Sequence, residues 1–116
     1  MDLRAYRGMA KSGVIVTTTE GVPGRELEIL GIVSASTVRT LNIGRDITQG
    51  IRSIAGGELP KYSDMLDDAH EAALRKMVDE ARGMGADAVV AFRFTSADVA
   101  EGATEVTAYG TAVRFV

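Results

Sequence analysis

Residues 62–84 read YSDMLDDAHEAALRKMVDEARGM, and this stretch decides the fold. Apolar side chains recur in it every three or four residues, which is the spacing of one face of an α-helix. That face is formed by Tyr62, Leu66, Ala69, Ala73, Met77 and Met84. Ser63 or Asp64 is predicted to cap the start of the helix, and Gly83 or Gly85 to end it. At an α-helical rise of about 1.5 Å per residue the helix is roughly 33 Å long, so we expect it to cross the whole domain.

Extended segments lie on both sides of this helix. The predicted strands cover residues 14–19, 26–38, 88–95 and 104–116, which are rich in β-branched or alternating apolar side chains. A turn is predicted at residues 21–24, and residues 96–103 are predicted to connect the last two strands as a hairpin. Gly31 is expected to mark a bulge or a close contact within its strand. In the strand at residues 88–95, one face is predicted to be formed by Val90, Phe92 and Phe94.

A second, shorter helix is predicted between residues 43 and 54. Isoleucines recur there at helical spacing, and Gly56-Gly57 follows as a stop. The order of elements is therefore β-β-α-α-β-β. This order predicts an α+β protein with a mainly antiparallel sheet and the long helix packed on one of its faces. Residues 1–13 are predicted to form a flexible N-terminal arm, and residues 14–116 a single domain.

Composition excludes several classes of function. The chain has 116 residues, a formal net charge of −3 and no run of basic residues, so nucleic acid is not an expected partner. It contains no cysteine, which excludes disulfides, thiolate metal sites and cysteine nucleophiles. No apolar run approaches the ~18 residues that a membrane-spanning helix needs. We therefore expect a soluble cytoplasmic protein with no membrane partner.

The strands carry more apolar surface than two helices can cover. Segments near Leu30 and Tyr109 have apolar groups on both sides of the predicted sheet. One chain of this length is expected to bury only one sheet face completely. Self-association into a homo-oligomer with closed symmetry is the simplest way to cover the other face.

Five short motifs resemble one known family. They are NIGRD at 42–46, GIRSIAGG at 50–57, Tyr62, GADAVV at 85–90 and GTAV at 110–113. In this order they resemble the YbjQ-like family, which is labelled as heavy-metal-binding and has no established reaction. The resemblance covers residues 14–116. It implies a β-rich α+β subunit that assembles into a homo-oligomeric ring, a pentamer. Members of that family often have a basic residue after the glycine pair, where this chain has Glu58.

The most family-like polar cluster is a candidate anion site. Gly44-Arg45-Asp46 opens the shorter helix, and Arg52 follows two turns later. Free N–H groups at a helix start can hold a phosphate or carboxylate together with an arginine. The candidate ligand-binding residues are Asn42, Arg45, Asp46, Arg52 and Tyr62. The alternative is structural, with Asn42 or Asp46 capping the helix and Arg45 in a salt bridge.

A second candidate site would hold a metal ion. His70 is the only histidine, Asp67 lies one helical turn before it, and Glu71 follows it directly. A carboxylate and an imidazole three residues apart on a helix can reach one divalent ion, so the candidate metal ligands are Asp67, His70 and Glu71. One histidine without cysteine provides few ligands for tight zinc or copper binding, so a half-buried structural histidine is the alternative. A divalent metal ion is the only cofactor that the sequence suggests, and no motif in the sequence requires a cofactor.

These observations favour a non-enzymatic, oligomeric small-ligand-binding or scaffold protein. The first alternative is a heavy-metal-binding protein. The second is an enzyme whose active site lies at a subunit interface. Catalysis is disfavoured because the chain has no second histidine and no G-x-S-x-G nucleophile motif.

Overall fold

The computed structural model of the protein describes residues 13–40 and 60–116. In these residues the elements are β1 (Ile15–Val16), β2 (Leu27–Thr40), α1 (Pro60–Gly83), β3 (Ala88–Ala100) and β4 (Ala103–Phe115). The helix predicted at residues 43–54 and nearly all of the predicted N-terminal arm lie outside the described residues. Of the part that is described, no helix has the length and apolar character needed to cross a membrane.

The four strands form one mixed sheet in the order β1-β3-β4-β2. The long β2–β4 and β3–β4 pairs are antiparallel, whereas the short β1–β3 pair is parallel. The predicted α+β class with a mainly antiparallel sheet is therefore confirmed. The register shifts between Ile29 and Gly31, which confirms the predicted bulge.

Helix α1 packs on one face of the sheet, called here the inner face, mainly over β2 and β4. Ala69, Ala73, Met77 and Ala81 are completely buried along its inner side. Their spacing of four residues and mostly small side chains let the helix lie close to the strands. The predicted apolar face is thus correct at its centre, but Met84 is exposed. The predicted N-terminal cap is wrong, because the helix begins at Pro60, and Ser63 and Asp64 lie inside it. The predicted stop is confirmed, because the helix ends at Gly83 and Gly85 has a positive φ of 81°.

Strand β3 contains a bulge that the sequence did not reveal. Ala91 has a φ of 53°, and the pairing with β4 jumps from Val90 to Arg93. The bulge reverses which side of the sheet later residues face. Phe92 and Phe94 therefore pack under the helix, whereas Val90 packs on the opposite, outer face. The prediction that Val90 shares a face with the two phenylalanines is wrong for this reason.

The bulge also joins the first strand to the sheet. The N–H groups of Ala91 and Phe92 donate to the carbonyls of Thr19 (2.8 Å) and Thr17 (3.0 Å). Regular strand pairing of the first segment is thereby limited to Ile15–Val16, although a strand was predicted across residues 14–19. At the other end of the sheet, β3 runs to Ala100. The connection predicted over residues 96–103 is in fact a tight turn at Glu101 and Gly102.

The outer face of the sheet has two zones. Near the start of β2 and the end of β4, Ala88, Val90 and Val113 are buried together, and Val22, Leu27 and Phe115 pack against them. Further along, the face is rich in hydroxyl groups, and Ser36 and Thr107 are hydrogen-bonded across the β2–β4 pair at 2.6 Å. The exposed side chains of Ile32, Val38 and Tyr109 lie on the same outer face. Apolar groups thus occur on both sides of the described sheet, as expected, and hydroxyl groups lie among them on the outer side.

Candidate functional site

Tyr62 is the one predicted ligand-binding residue that the structure describes. It lies in the first turn of α1, and its hydroxyl is 2.9 Å from the Thr104 hydroxyl and 3.4 Å from Asp98 Oδ1. The Thr104 hydroxyl donates to the same Asp98 oxygen at 3.0 Å. Because that hydroxyl has a single proton, it accepts from Tyr62 when it donates to Asp98. The phenol, the hydroxyl and the carboxylate thus form a hydrogen-bonded network that runs from Tyr62 through Thr104 to Asp98.

This network joins the start of α1 to the end of the β3–β4 hairpin. Thr104 is 3% exposed, whereas Asp98 is exposed to solvent. The two hydrogen bonds of the buried Thr104 hydroxyl contribute to stability. Removing either Tyr62 or Asp98 would leave this hydroxyl with an unsatisfied donor or acceptor. A ligand that reached the Tyr62 hydroxyl would have to replace these bonds. The other four predicted ligand-binding residues, Asn42, Arg45, Asp46 and Arg52, lie outside the described residues, so this site stays a prediction.

The predicted metal ligands lie side by side on α1. Asp67 is exposed, and His70 and Glu71 are half-buried. The Glu71 carboxylate forms a salt bridge with Arg75 Nη2 at 2.5 Å, so metal binding would have to displace that arginine. Across residues 13–40 and 60–116, no group of three or more histidine, cysteine or acidic side chains is placed to hold an ion. The metal site stays a prediction that needs ligands from elsewhere.

The imidazole ring of His70 is held by aromatic packing. Its centroid lies 4.6 Å from that of Phe94 in an edge-to-face arrangement, and Phe94 packs against Phe92 in the same way at 4.8 Å. Such pairs add stability beyond the burial of their area. The bulge at Ala91 places both phenylalanines under the helix, so the environment of His70 depends on a feature that the sequence pattern did not show.

Asp87 links three strands of the sheet. It lies in the GADAVV motif, between the end of α1 and the start of β3. Its carboxylate accepts a hydrogen bond from the N–H of Phe115, which is distant in sequence, at 2.8 Å. Its backbone N–H donates to the Val113 carbonyl, and its carbonyl accepts from Ile15. One residue therefore links β1, the start of β3 and the end of β4.

Two arginines on the sheet have partners of their own. Arg93 Nη1 donates to the carbonyls of Phe92 (2.7 Å) and Thr18 (3.1 Å). Arg114 donates to the Glu28 carboxylate at 2.7 Å, and this hydrogen bond and charge raise the pKa of Arg114 above its usual value. Arg114 therefore stays charged at any physiological pH. Both serve to hold strands or loops in place.

Comparisons with known proteins agree with one another. A family model of YbjQ proteins, described as "Putative heavy-metal-binding", matches residues 14–116. A UPF0145 protein of Halobacterium salinarum is 58% identical over 97 residues, which cover 83% of this chain and 93% of that protein. A UPF0145 protein of Archaeoglobus fulgidus is 53% identical over 102 residues, covering 87% of this chain and 94% of that protein.

A solved structure is similar in fold. It is a protein of unknown function of the DUF74 family from Pediococcus pentosaceus, with a TM-score of 0.68 and 20% sequence identity. The match covers 90% of this chain and 99% of that one. At this identity the likeness concerns the fold alone, and it agrees with an α+β fold. On the family model and the identities together, the chain belongs to the YbjQ family of UPF0145 proteins.

Proposed function

We propose that the protein is the subunit of a cytoplasmic homo-oligomeric ring, a pentamer, that binds a small polar or anionic ligand or acts as a scaffold and catalyses no reaction. The observation that carries this proposal is the exposure of large apolar side chains at one side of the sheet. Ile29 is 73% exposed and Ile32 is 82% exposed, both on β2. Contiguous exposed apolar groups of this kind mark contact surfaces in soluble proteins.

The first test of the ring is its mass in solution. Five copies of the 12.3 kDa chain give about 62 kDa, which light scattering coupled to size exclusion distinguishes readily from a monomer. The proposal expects a single species of that mass at micromolar concentration. A monomer under these conditions would remove the ring and every pocket that depends on it.

Ligand binding is tested separately with inorganic phosphate as the probe. The proposal expects calorimetric heat with the native protein and its loss in Arg52→Ala, because Arg45 and Arg52 supply the positive charge of the predicted site. Arg75→Ala is a matched control, since this exposed arginine on α1 lies in a different element. Equal heats in all three proteins would show that the predicted arginine site does not bind the anion.

A metal-handling function is the second candidate, and the family description favours it. His70 and Asp67 from one chain provide two donors one helical turn apart. Ligands from a neighbouring subunit would have to complete the set, since transition metals usually take four or more donors. Titration with zinc, copper, nickel and cadmium tests this function. Heats that disappear in His70→Ala but persist in Asp79→Asn would support it, and no binding at micromolar metal would exclude it.

A further inference from the structure

Methionine sulfur is a reactive group that the proposed function does not use. The described part of the chain contains three methionines, which lie on α1 or directly after it. Met65 is 8% exposed and Met77 is completely buried, whereas Met84 is 40% exposed. An oxidant dissolved in water reaches a thioether only where the side chain meets solvent. Met84 is therefore the most accessible thioether of the three.

The side chain of Met84 packs on the bulge of β2. The pairing with β4 shifts between Ile29 and Gly31, so Leu30 has no partner residue in β4 and packs against the inner core. A Cβ atom on Gly31 would lie 3.5 Å from Met84 Cε. Gly31 also has a φ of 144°, which residues with a side chain rarely adopt. The glycine thus leaves room for the Met84 methyl group beside the strand.

The backbone of Met84 is held by the end of the helix. Its N–H donates to the carbonyls of Glu80 and Ala81, both at 3.1 Å, and the N–H of Gly85 donates to the Arg82 carbonyl at 3.0 Å. These bonds satisfy the last carbonyls of α1. Moving the Met84 backbone away from β2 would break them. A chemical change in the side chain therefore acts at the contact with the bulge.

We propose that Met84 is an oxidation site and that its oxidation loosens the contact between the end of α1 and the β2 bulge. Hydrogen peroxide transfers one oxygen atom to the thioether sulfur, which loses two electrons and becomes a sulfoxide, and water is released. Burying the polar sulfoxide oxygen without a hydrogen bond is costly, so the modified side chain favours solvent over the bulge. The exposed Ile29 and Ile32 flank this bulge, but neither step requires the proposed ring.

Tryptic peptide mapping after timed treatment with hydrogen peroxide locates the modification. Each of the five methionines of the chain falls in a separate tryptic peptide, and Met65, Met77 and Met84 belong to residues 62–75, 77–82 and 83–93. We expect the peptide of residues 83–93 to gain one oxygen atom roughly tenfold faster than the other two, because its sulfur is the most accessible. Equal rates in these three peptides would overturn the assignment of Met84 as the oxidation site.

Thermal unfolding at fixed protein concentration measures the structural consequence. The oxidised protein should melt a few degrees below the untreated protein, and methionine sulfoxide reductases should restore its melting temperature. Met84→Leu is the matched control, since leucine keeps an apolar side chain of similar volume without a sulfur atom. The melting temperature of this variant should not change with peroxide. Met65→Leu should respond to peroxide as the native protein does.

Two outcomes would overturn the structural part of the proposal. Complete oxidation of Met84 with an unchanged melting temperature would show that its methyl group does not support the bulge. An equal loss in Met84→Leu after peroxide treatment would assign the effect to another methionine. Both results are independent of the mass of the native protein, so they leave the proposed ring to its own test.

Discussion

Replacing Gly110 by alanine should destabilise the protein strongly. Among the described glycines that have a negative φ, we expect the largest effect at this position. A Cβ atom at this position would lie 2.6 Å from Val89 Cγ1, 3.0 Å from the Val90 carbonyl oxygen and 3.4 Å from Phe92 Cα. Two of these three neighbours are backbone atoms, and Val89 is completely buried. Neither the strand nor the β-branched side chain can move away without disturbing the core.

The expected cost follows from two opposing terms. Inserting a methyl group into a well-packed core costs about 1–3 kcal/mol, and the short contact with a backbone carbonyl places this site at the upper end. Alanine recovers about 0.5–1 kcal/mol because it loses less backbone entropy than glycine on folding. The net loss in the free energy of unfolding is therefore about 2 kcal/mol, which lowers the urea midpoint by roughly 1 M for a domain of this size.

Equilibrium urea unfolding at fixed protein concentration measures this loss. Gly21→Ala is the matched control, since a Cβ there has nothing within 4 Å, and its midpoint should stay close to the native value. Val89→Ala removes the nearest atom, so the double variant should be about 1 kcal/mol more stable than the sum of the single effects. A Gly110→Ala protein within about 0.5 kcal/mol of the native one would refute the packing argument.

Three smaller effects are expected from other sites. Ala91→Gly should stabilise the protein by about 0.5–1 kcal/mol, because the left-handed φ at the bulge is strained for alanine; a lower melting temperature would contradict this. Asp87→Ala should cost about 1–2 kcal/mol in urea unfolding by leaving the Phe115 N–H without its acceptor, and Asp87→Asn should cost less; equal losses would rule out the hydrogen bond as the cause. Tyr62→Phe should cost about 0.5–1.5 kcal/mol by removing one partner of the buried Thr104 hydroxyl, whereas an unchanged midpoint would show that the network adds no stability.

Local periodicity was enough to predict the long helix. Alanine and methionine recur at helical spacing from Ala69 to Ala81, and the structure buries them. The bulge of β3 could not be predicted, because alanine has no preference for the left-handed conformation that Ala91 adopts. One such residue was enough to reverse the assignment of Val90 to a face. The alternation of side chains along a strand predicts which face of the sheet a residue lies on only as long as no bulge shifts that alternation.

The candidate site could be predicted from the sequence less well than the fold could. Tyr62 was selected because it matches a family motif, but its partners Asp98 and Thr104 lie 36 and 42 residues away. Asp98 was read as part of a polar hairpin connection, and nothing local to it indicates a bond to a helix. Only the pairing of β3 with β4, which aligns Asp98 with Thr104, brings these groups together.

The distribution of exposed apolar groups determines how copies of this chain would meet. The outer face is already covered near the end of β4, where Arg25 lies 4.6 Å above the Phe115 ring and Val90 is buried. Beyond this zone the face mixes hydroxyl groups such as those of Ser36 and Thr107 with exposed apolar side chains such as that of Val38. Ile29 and Ile32 on β2 are exposed on the same face. A second copy that covered these isoleucines would therefore also cover the neighbouring hydroxyl groups, which would need hydrogen-bond partners in the contact. A subunit contact at this face would thus combine apolar burial with hydrogen bonds, as interfaces between subunits do.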